Sequence, residues 1–335
     1  MEEVLYLKNT DVRELLTMAD IIPICEEVFK GVAEGTSLQE NALVFMRPGH
    51  DFMRDPFTDF VEAQPAFSRP MHICGIKTII YFLGNVDKGL PILSSLMLVA
   101  DPETGIPRAY VEGEWIVGMR TAANDAVGAK YLAKKDSSSL AIIGCGLQGR
   151  THLIATKMLF DIKDVRIHDR YEKAMKKYIA DMAGMYPDVN IRSFDNPKDA
   201  VNGADIVCMV TTSYVPVVFE DWIGPGCLVC ATHSFSDFDI KATRTFDKYV
   251  IGDPTCDVNI SKKKYADYDE KTVYARLGEV ILGWKPGRES DQERIIWHHK
   301  GVVGLSEVAV AVLAYERAKE KGIGVKLERS PAIVP

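Results

Sequence analysis

The apolar positions of this chain follow one rhythm in its first third and another after it. Val4-Leu5-Tyr6-Leu7 reads as a short strand, and Asn9 or Thr10 can cap a helix running to Leu16. A second helix is expected over residues 20–33, with Asp20 as N-cap, Pro23 in the first turn and Gly35 as the stop. Between about residues 41 and 107 the pattern changes to short β runs, at 42–46, 76–82 and 95–99, parted by Gly, Pro and Asp. Asp101-Pro102-Glu103-Thr104-Gly105 reads as a turn. This portion is α+β.

An Ala-rich helix is expected over residues 118–134, its small side chains suited to close packing. After Lys135-Asp136-Ser137-Ser138-Ser139, apolar runs alternate with helical patterns. Strands are expected at 140–143, 165–168, 191–193, 206–210, 228–231 and 249–251, and helices at 146–159, 171–185 and 197–202. Strands alternating with helices imply an α/β fold with a Rossmann-type, doubly wound parallel sheet. A last helix, 307–321, is expected to pack back on the first portion. The domains are then 1–118 with 308–335, an α+β domain, and 119–307, the Rossmann-type domain.

Composition narrows the function. The chain has 335 residues, 47% hydrophobic and 26% charged, with a net charge of −7. Nucleic-acid binding calls for a clustered basic face, and none is visible. Met1-Glu2-Glu3 does not open a signal peptide, and no apolar run reaches the roughly 18 residues of a membrane span, so a cytoplasmic protein is expected. Seven cysteines in such a chain read as reduced thiols. Cys227-Leu-Val-Cys230 sits in an apolar run with no second C-x-x-C, and His298-His299 point in different directions. No metal is inferred.

The strongest local signal is Gly144-Cys145-Gly146-Leu147-Gln148-Gly149. Alone, such a turn is weak evidence. Here a strand precedes it, a helix follows it, and Asp169 closes the next strand about 20 residues on, the order of a dinucleotide site. Gly144 permits the turn, Gly146 lets backbone approach a pyrophosphate, Gly149 allows helix–strand contact, and the helix N-terminus offers N–H groups to phosphate. Asp169 suits the ribose hydroxyls of NAD, while Arg170 beside it keeps NADP open. Thr211 and Thr212 end a later strand at the edge where such sheets bind ligands, although a plain strand-ending turn explains them equally well.

The chain resembles the ornithine cyclodeaminase/mu-crystallin family. The resemblance rests on Gly75-Ile-Lys77, the turn 101–105, Arg120-Thr121-Ala122-Ala123, the glycine loop, the segment from Gly278-Glu279 to Gly287-Arg288, and Ala314-Tyr315-Glu316-Arg317-Ala318. It implies an NAD(P)-dependent oxidoreductase acting on the C–N bond of a small amino or imino acid, usually a homodimer, whose α+β domain binds substrate and dimerises. Residue by residue, it implies that Lys77 and Arg120, with Arg47 as a third cation, hold the substrate carboxylate. It also implies that Glu62, before Pro65, meets the amine and that Thr121 contacts the cofactor. A lone Arg or Lys is usually a solvated charge, but Arg120 lies among apolar and small residues. Where cyclodeaminases carry an aspartate, Phe235 stands here, leaving Asp237, His233 or Glu62 as the acid/base. Trp297-His298-His299-Lys300 replaces a further family pattern, a change expected to surround the substrate. Two alternatives stay open: a redox-neutral ornithine cyclodeaminase, and a non-catalytic NAD(P)H-binding protein.

Overall fold

Alternating burial along the strands of the first portion builds one sheet with a covered and an uncovered face. The computed structural model describes residues 3–39, 42–46, 59–213, 215–232, 237–253, 269–298 and 302–330. The chain divides into two units, Met1–Arg120 with Val302–Pro335, and Thr121–Gly301. The second crossing comes earlier than the expected residue 308 because the last helix already begins at Val303.

The first unit holds β1 (Glu3–Leu7), α1 (Asn9–Leu15), α2 (Met18–Glu34), β2 (Ser37–Gln39), β3 (Leu43–Met46), β4 (Phe60–Ser68), β5 (Ile73–Tyr81), β6 (Leu93–Ala100), β7 (Pro107–Glu112) and the start of α3 (Glu114–Leu132). In chain order its last elements are α9 (Val303–Lys321) and β16 (Val325–Glu328). The sheet order is β16-β1-β7-β6-β5-β4-β2, with β3 also on β4. All pairs are antiparallel except β1 with β7. Helix α9 packs on α2 and on β4, β5 and β6.

Two helix starts differ from expectation. Asp20 is not the cap but the third residue of α2, where its Oδ2 accepts the Thr17 N–H at 2.8 Å, so the helix opens at Met18. Pro23 therefore lies inside the helix. Asn9 is drawn away from capping, because its Oδ1 accepts the Trp115 N–H at 2.9 Å and its Nδ2 donates to Glu114 at 2.6 Å.

The second unit holds the rest of α3, β8 (Ser139–Ile143), α4 (Leu147–Leu159), β9 (Asp164–His168), α5 (Glu172–Ala183), β10 (Asn190–Ser193), α6 (Pro197–Val201), β11 (Ile206–Met209), β12 (Leu228–Ala231), α7 (Ala242–Thr245), β13 (Lys248–Ile251), β14 (Val273–Arg276), α8 (Leu277–Ile281) and β15 (Ile295–His298). Every pair in its sheet is parallel, in the order β10-β9-β8-β11-β12-β15-β13-β14. The near-continuous apolar runs are explained by burial of both faces: β8, β11, β12, β13 and β15 are buried at every position. Cys227 and Cys230 are free thiols within this core. The order reverses at β8, with β9 on one side and β11 on the other, and this opens a crevice at the strands' carboxyl ends.

Strand β15 was not expected, and it relocates the 297–300 segment. Trp297 is fully buried, and its indole lies so near Gly128 of α3 that a Cβ there would stand 2.5 Å from the ring. His298 is buried beside Tyr249, Nδ1 to Oη 3.3 Å. These two residues are sheet core rather than substrate contacts, while His299 and Lys300 lie outside the described residues. Among the described residues, no helix is long and apolar enough to cross a membrane.

Candidate functional site

Two loci gather the chemistry, one in each unit. The first is the turn after β8. Gly144 has φ +112°, and a Cβ there would stand 2.5 Å from the Val210 carbonyl oxygen, so backbone conformation and the neighbouring strand end both demand glycine. At Gly149 a Cβ would run into the Gly144 carbonyl, so α4 can sit this close to the turn only without a side chain. At Gly146 the same position is open space, and no side chain caps the helix that starts with Leu147 and Gln148. The positive end of the α4 dipole therefore faces the turn with no side chain of the N-cap residue bound across it.

The loop is braced from behind. Asp169 Oδ2 accepts the Cys145 N–H at 2.9 Å, and its Oδ1 accepts the Tyr171 N–H at the same distance. Arg150 donates to the carbonyls of Cys145 (2.5 Å) and Gly146 (3.0 Å) while its Nη2 is held by Asp181 at 2.7 Å. Burial pushes the Cys145 thiol up to about 12, so it is filler rather than a nucleophile. Arg170 stacks on the Tyr171 ring, 4.5 Å to its centroid. Thr211, past the end of β11, donates through N–H (3.2 Å) and Oγ1 (2.7 Å) to Asp237 Oδ2, and Thr212 is exposed. Asp237 is fully buried. This pairing shapes the strand end, and it ties the acid/base candidate Asp237 to the loop that follows β11. Thr121, at the start of this unit, is buried in α3.

Under the same loop, His152 of α4 is buried with Nδ1 2.7 Å from the Gln148 carbonyl and Nε2 2.8 Å from Asp125 Oδ2, an oxygen that also takes the Thr232 hydroxyl at 2.5 Å. Both ring nitrogens face acceptors, so this geometry is satisfied by an imidazolium beside a carboxylate.

The second locus lies under the sheet of the first unit. Lys77 of β5 points inward and is almost wholly buried. Its Nζ donates to Glu62 Oε1 at 2.5 Å and to Gln64 Oε1 at 3.2 Å, both on β4, and lies 3.5 Å from Glu307 Oε2 on α9. Arg120 donates through Nε (2.9 Å) and Nη2 (2.6 Å) to the other oxygen of Glu307. Its buried Nη1 has no partner among the described residues. A buried guanidinium donor without an acceptor is costly unless something arrives to take it. The structure brings Lys77, Glu62 and Arg120 into one cluster, while Arg47, His233 and Phe235 lie outside the described residues.

Sequence reading missed Glu307, Gln64, Arg150 and the Asp125–His152 pair. Glu307 had a visible signal: it is a lone acid within Val302-Val-Gly-Leu-Ser-Glu307-Val-Ala-Val-Ala311, and acids in apolar runs are seldom buried unpaired.

A family model described as the ornithine cyclodeaminase/mu-crystallin family matches residues 2–322. The alanine dehydrogenase of Archaeoglobus fulgidus is 32% identical over 334 residues, covering 97% of this chain and 98% of that protein. Among solved structures, the Δ1-pyrroline-2-carboxylate reductase of Thermococcus litoralis, in complex with NADH and L-proline, superposes with a TM-score of 0.87 at 28% identity, over 97% of this chain and 100% of the other. An archaeal alanine dehydrogenase dimer with bound NAD gives 0.86 at 30% identity, over 97% and 99%.

Proposed function

From the premise that this chain belongs to the ornithine cyclodeaminase/mu-crystallin family, we propose that it is an NAD(P)-dependent oxidoreductase acting on the C–N bond of a small amino or imino acid. The observation that carries the reading is the buried pair Lys77 and Arg120, with the Arg120 Nη1 lacking an acceptor among the described residues. The relatives' named ligands and products, alanine and L-proline, share a carboxylate on the carbon that bears nitrogen. Arg120 Nη1 and Lys77 are the donors for that carboxylate, and fixing it fixes the α-carbon. Glu62, against Lys77 in the same cluster, is the group we assign to exchange the proton on nitrogen. Asp237 is engaged with Thr211 and serves that strand end instead.

The glycine turn fits a dinucleotide, with open space at Gly146 and an uncapped α4. Gly144, Gly146, Leu147, Gln148 and Gly149 would hold the pyrophosphate, and Thr121, Thr211 and Thr212 would line the remainder. Asp169, fixed by two backbone N–H groups, presents a carboxylate to ribose hydroxyls and disfavours a 2′-phosphate, which points to NAD over NADP. When bound, the nicotinamide supplies or accepts a hydride. We also propose a homodimer in the cytoplasm. The archaeal relative is a dimer, and the uncovered face of the first sheet exposes Val61, Phe67, Ile76, Ile80 and Leu96, with Val61 and Ile80 directly paired across β4 and β5.

The test is a panel of α-keto acids with ammonia or methylamine, cyclic imino acids and ornithine, each followed with NADH and with NADPH. Net cofactor oxidation on an imino acid is expected, with NADH preferred. Ammonia release from ornithine without net change in NADH would instead give the cyclodeaminase, and a blank throughout would overturn the reading.

A further inference from the structure

The charged side chains described at the Lys77 locus are two cations, Lys77 and Arg120, and two carboxylates, Glu62 and Glu307. Their side chains are 1%, 5%, 17% and 0% exposed respectively, so water screens them little. Cys25, which lies within the field of Arg120 and is fully buried, adds no charge: burial pushes its thiol up to about 12. Gln64 is neutral. The described cluster is therefore balanced before any ligand enters.

That balance depends on Glu307. With Lys77 and Arg120 facing Glu62 alone, the locus would carry one net positive charge and would welcome any small anion. Glu307 spends one oxygen on Nε and Nη2 of Arg120 and leaves Nη1 as the donor still without an acceptor. It therefore aims the guanidinium and also cancels the surplus positive charge. A ligand with one carboxylate and one protonated nitrogen keeps the cluster neutral. An α-hydroxy or α-keto acid of the same shape lacks the protonated nitrogen and faces the Glu307 carboxylate with a net negative charge, so in a buried cluster Glu307 disfavours it relative to the zwitterion.

We propose that Glu307 is a positioning and specificity-determining residue that makes this site select zwitterions over anions of equal shape. The inference rests on the C–N reading for the class of substrate.

The experiment uses the full chain loaded with NADH and measures binding of L-alanine and L-proline against L-lactate and pyruvate. The wild-type protein is expected to favour the zwitterions. Glu307→Gln keeps an acceptor for Arg120 and removes the charge. It is expected to move the zwitterion-to-anion ratio by about tenfold or more toward the anions, weakening the first pair and tightening the second. Glu307→Asp, which keeps the charge, is expected to hold the ratio even where both affinities fall. A proportional loss of both classes in Glu307→Gln, with NADH binding intact, would reduce Glu307 to scaffold and overturn the proposal. Should that variant fail to fold, the wild-type ratio decides: NADH-loaded wild-type protein that binds L-lactate as tightly as L-alanine overturns the proposal. Uptake of none of the four ligands by NADH-loaded wild-type protein would instead sink the C–N reading, and the proposal with it.

Discussion

Arg120 is legible in part from its surroundings, since Val117-Gly-Met-Arg120-Thr-Ala-Ala offers a cation no solvated face. What holds it is not legible, because Glu307 is 187 residues away in sequence and nothing in one dimension pairs the two. The two are bound at 2.6 Å in a buried pair, and removing one member strands the other. Arg120→Met is expected to cost about 3–5 kcal/mol of stability in urea denaturation, because Glu307 is left buried with only Lys77 near it. In the protein that remains folded, affinity for amino-acid ligands should fall by more than about tenfold while NADH affinity changes much less. Equal losses in both would show that the guanidinium does not serve the substrate. Lys77 was legible in the same way, through its short motif, whereas Gln64 was not, because an amide on a strand carries no pattern of its own.

At the scale of elements, α4 does two tasks. Its first turn faces the nucleotide position, and His152, one turn further on, ties it to Asp125 of α3 and through that carboxylate to Thr232 beyond β12. Burial opposes a charge on His152. The hydrogen bond to Asp125, the Asp125 charge and the Gln148 carbonyl outweigh it, leaving the ring's pKa above its ordinary value. A raised folded-state pKa gives stability that is complete below the unfolded value of about 6.5 and is lost as pH rises through the folded value. Unfolding free energy measured from about pH 6 to about pH 9 should therefore contain a decline that is absent from His152→Gln. A variant with the same slope as the wild type would remove His152 from this account. The strand–turn–helix order around α4 was readable because parallel strands buried on both faces are apolar throughout. β15 was not, since it enters the sheet between β12 and β13, out of chain order, where no strand–helix alternation announces it. The start of α2 was displaced because a carboxylate three residues into a helix and one at its cap look alike in one dimension.

At the scale of the whole molecule, the uncovered face of the first sheet carries an apolar patch. Phe67, Ile76, Ile80 and Leu96 are each more than a third exposed there, a patch of the kind that marks an interface. Ile80→Arg is expected to convert the protein to monomers in analytical ultracentrifugation while leaving NADH binding in place. A variant that sediments as the wild type does would move the interface elsewhere. The broad division into an α+β part and a doubly wound part was readable from the change of apolar period. Its second seam was not placed correctly, because the small and apolar residues from Val302 onward continue one helix without a visible start.

The first unit is completed by Val302–Pro335, which a ribosome makes only after the whole of the second unit. Until α9 emerges, Lys77 and Arg120 lack Glu307, and β4 to β6 lack the helix that covers them. The later-encoded parallel sheet is contiguous and can mature first, so the first unit is expected to stay incomplete until α9 has been made. Truncation before Val303 should accordingly yield insoluble product rather than a weakened enzyme, for it withdraws a structural half from residues synthesised some two hundred positions earlier.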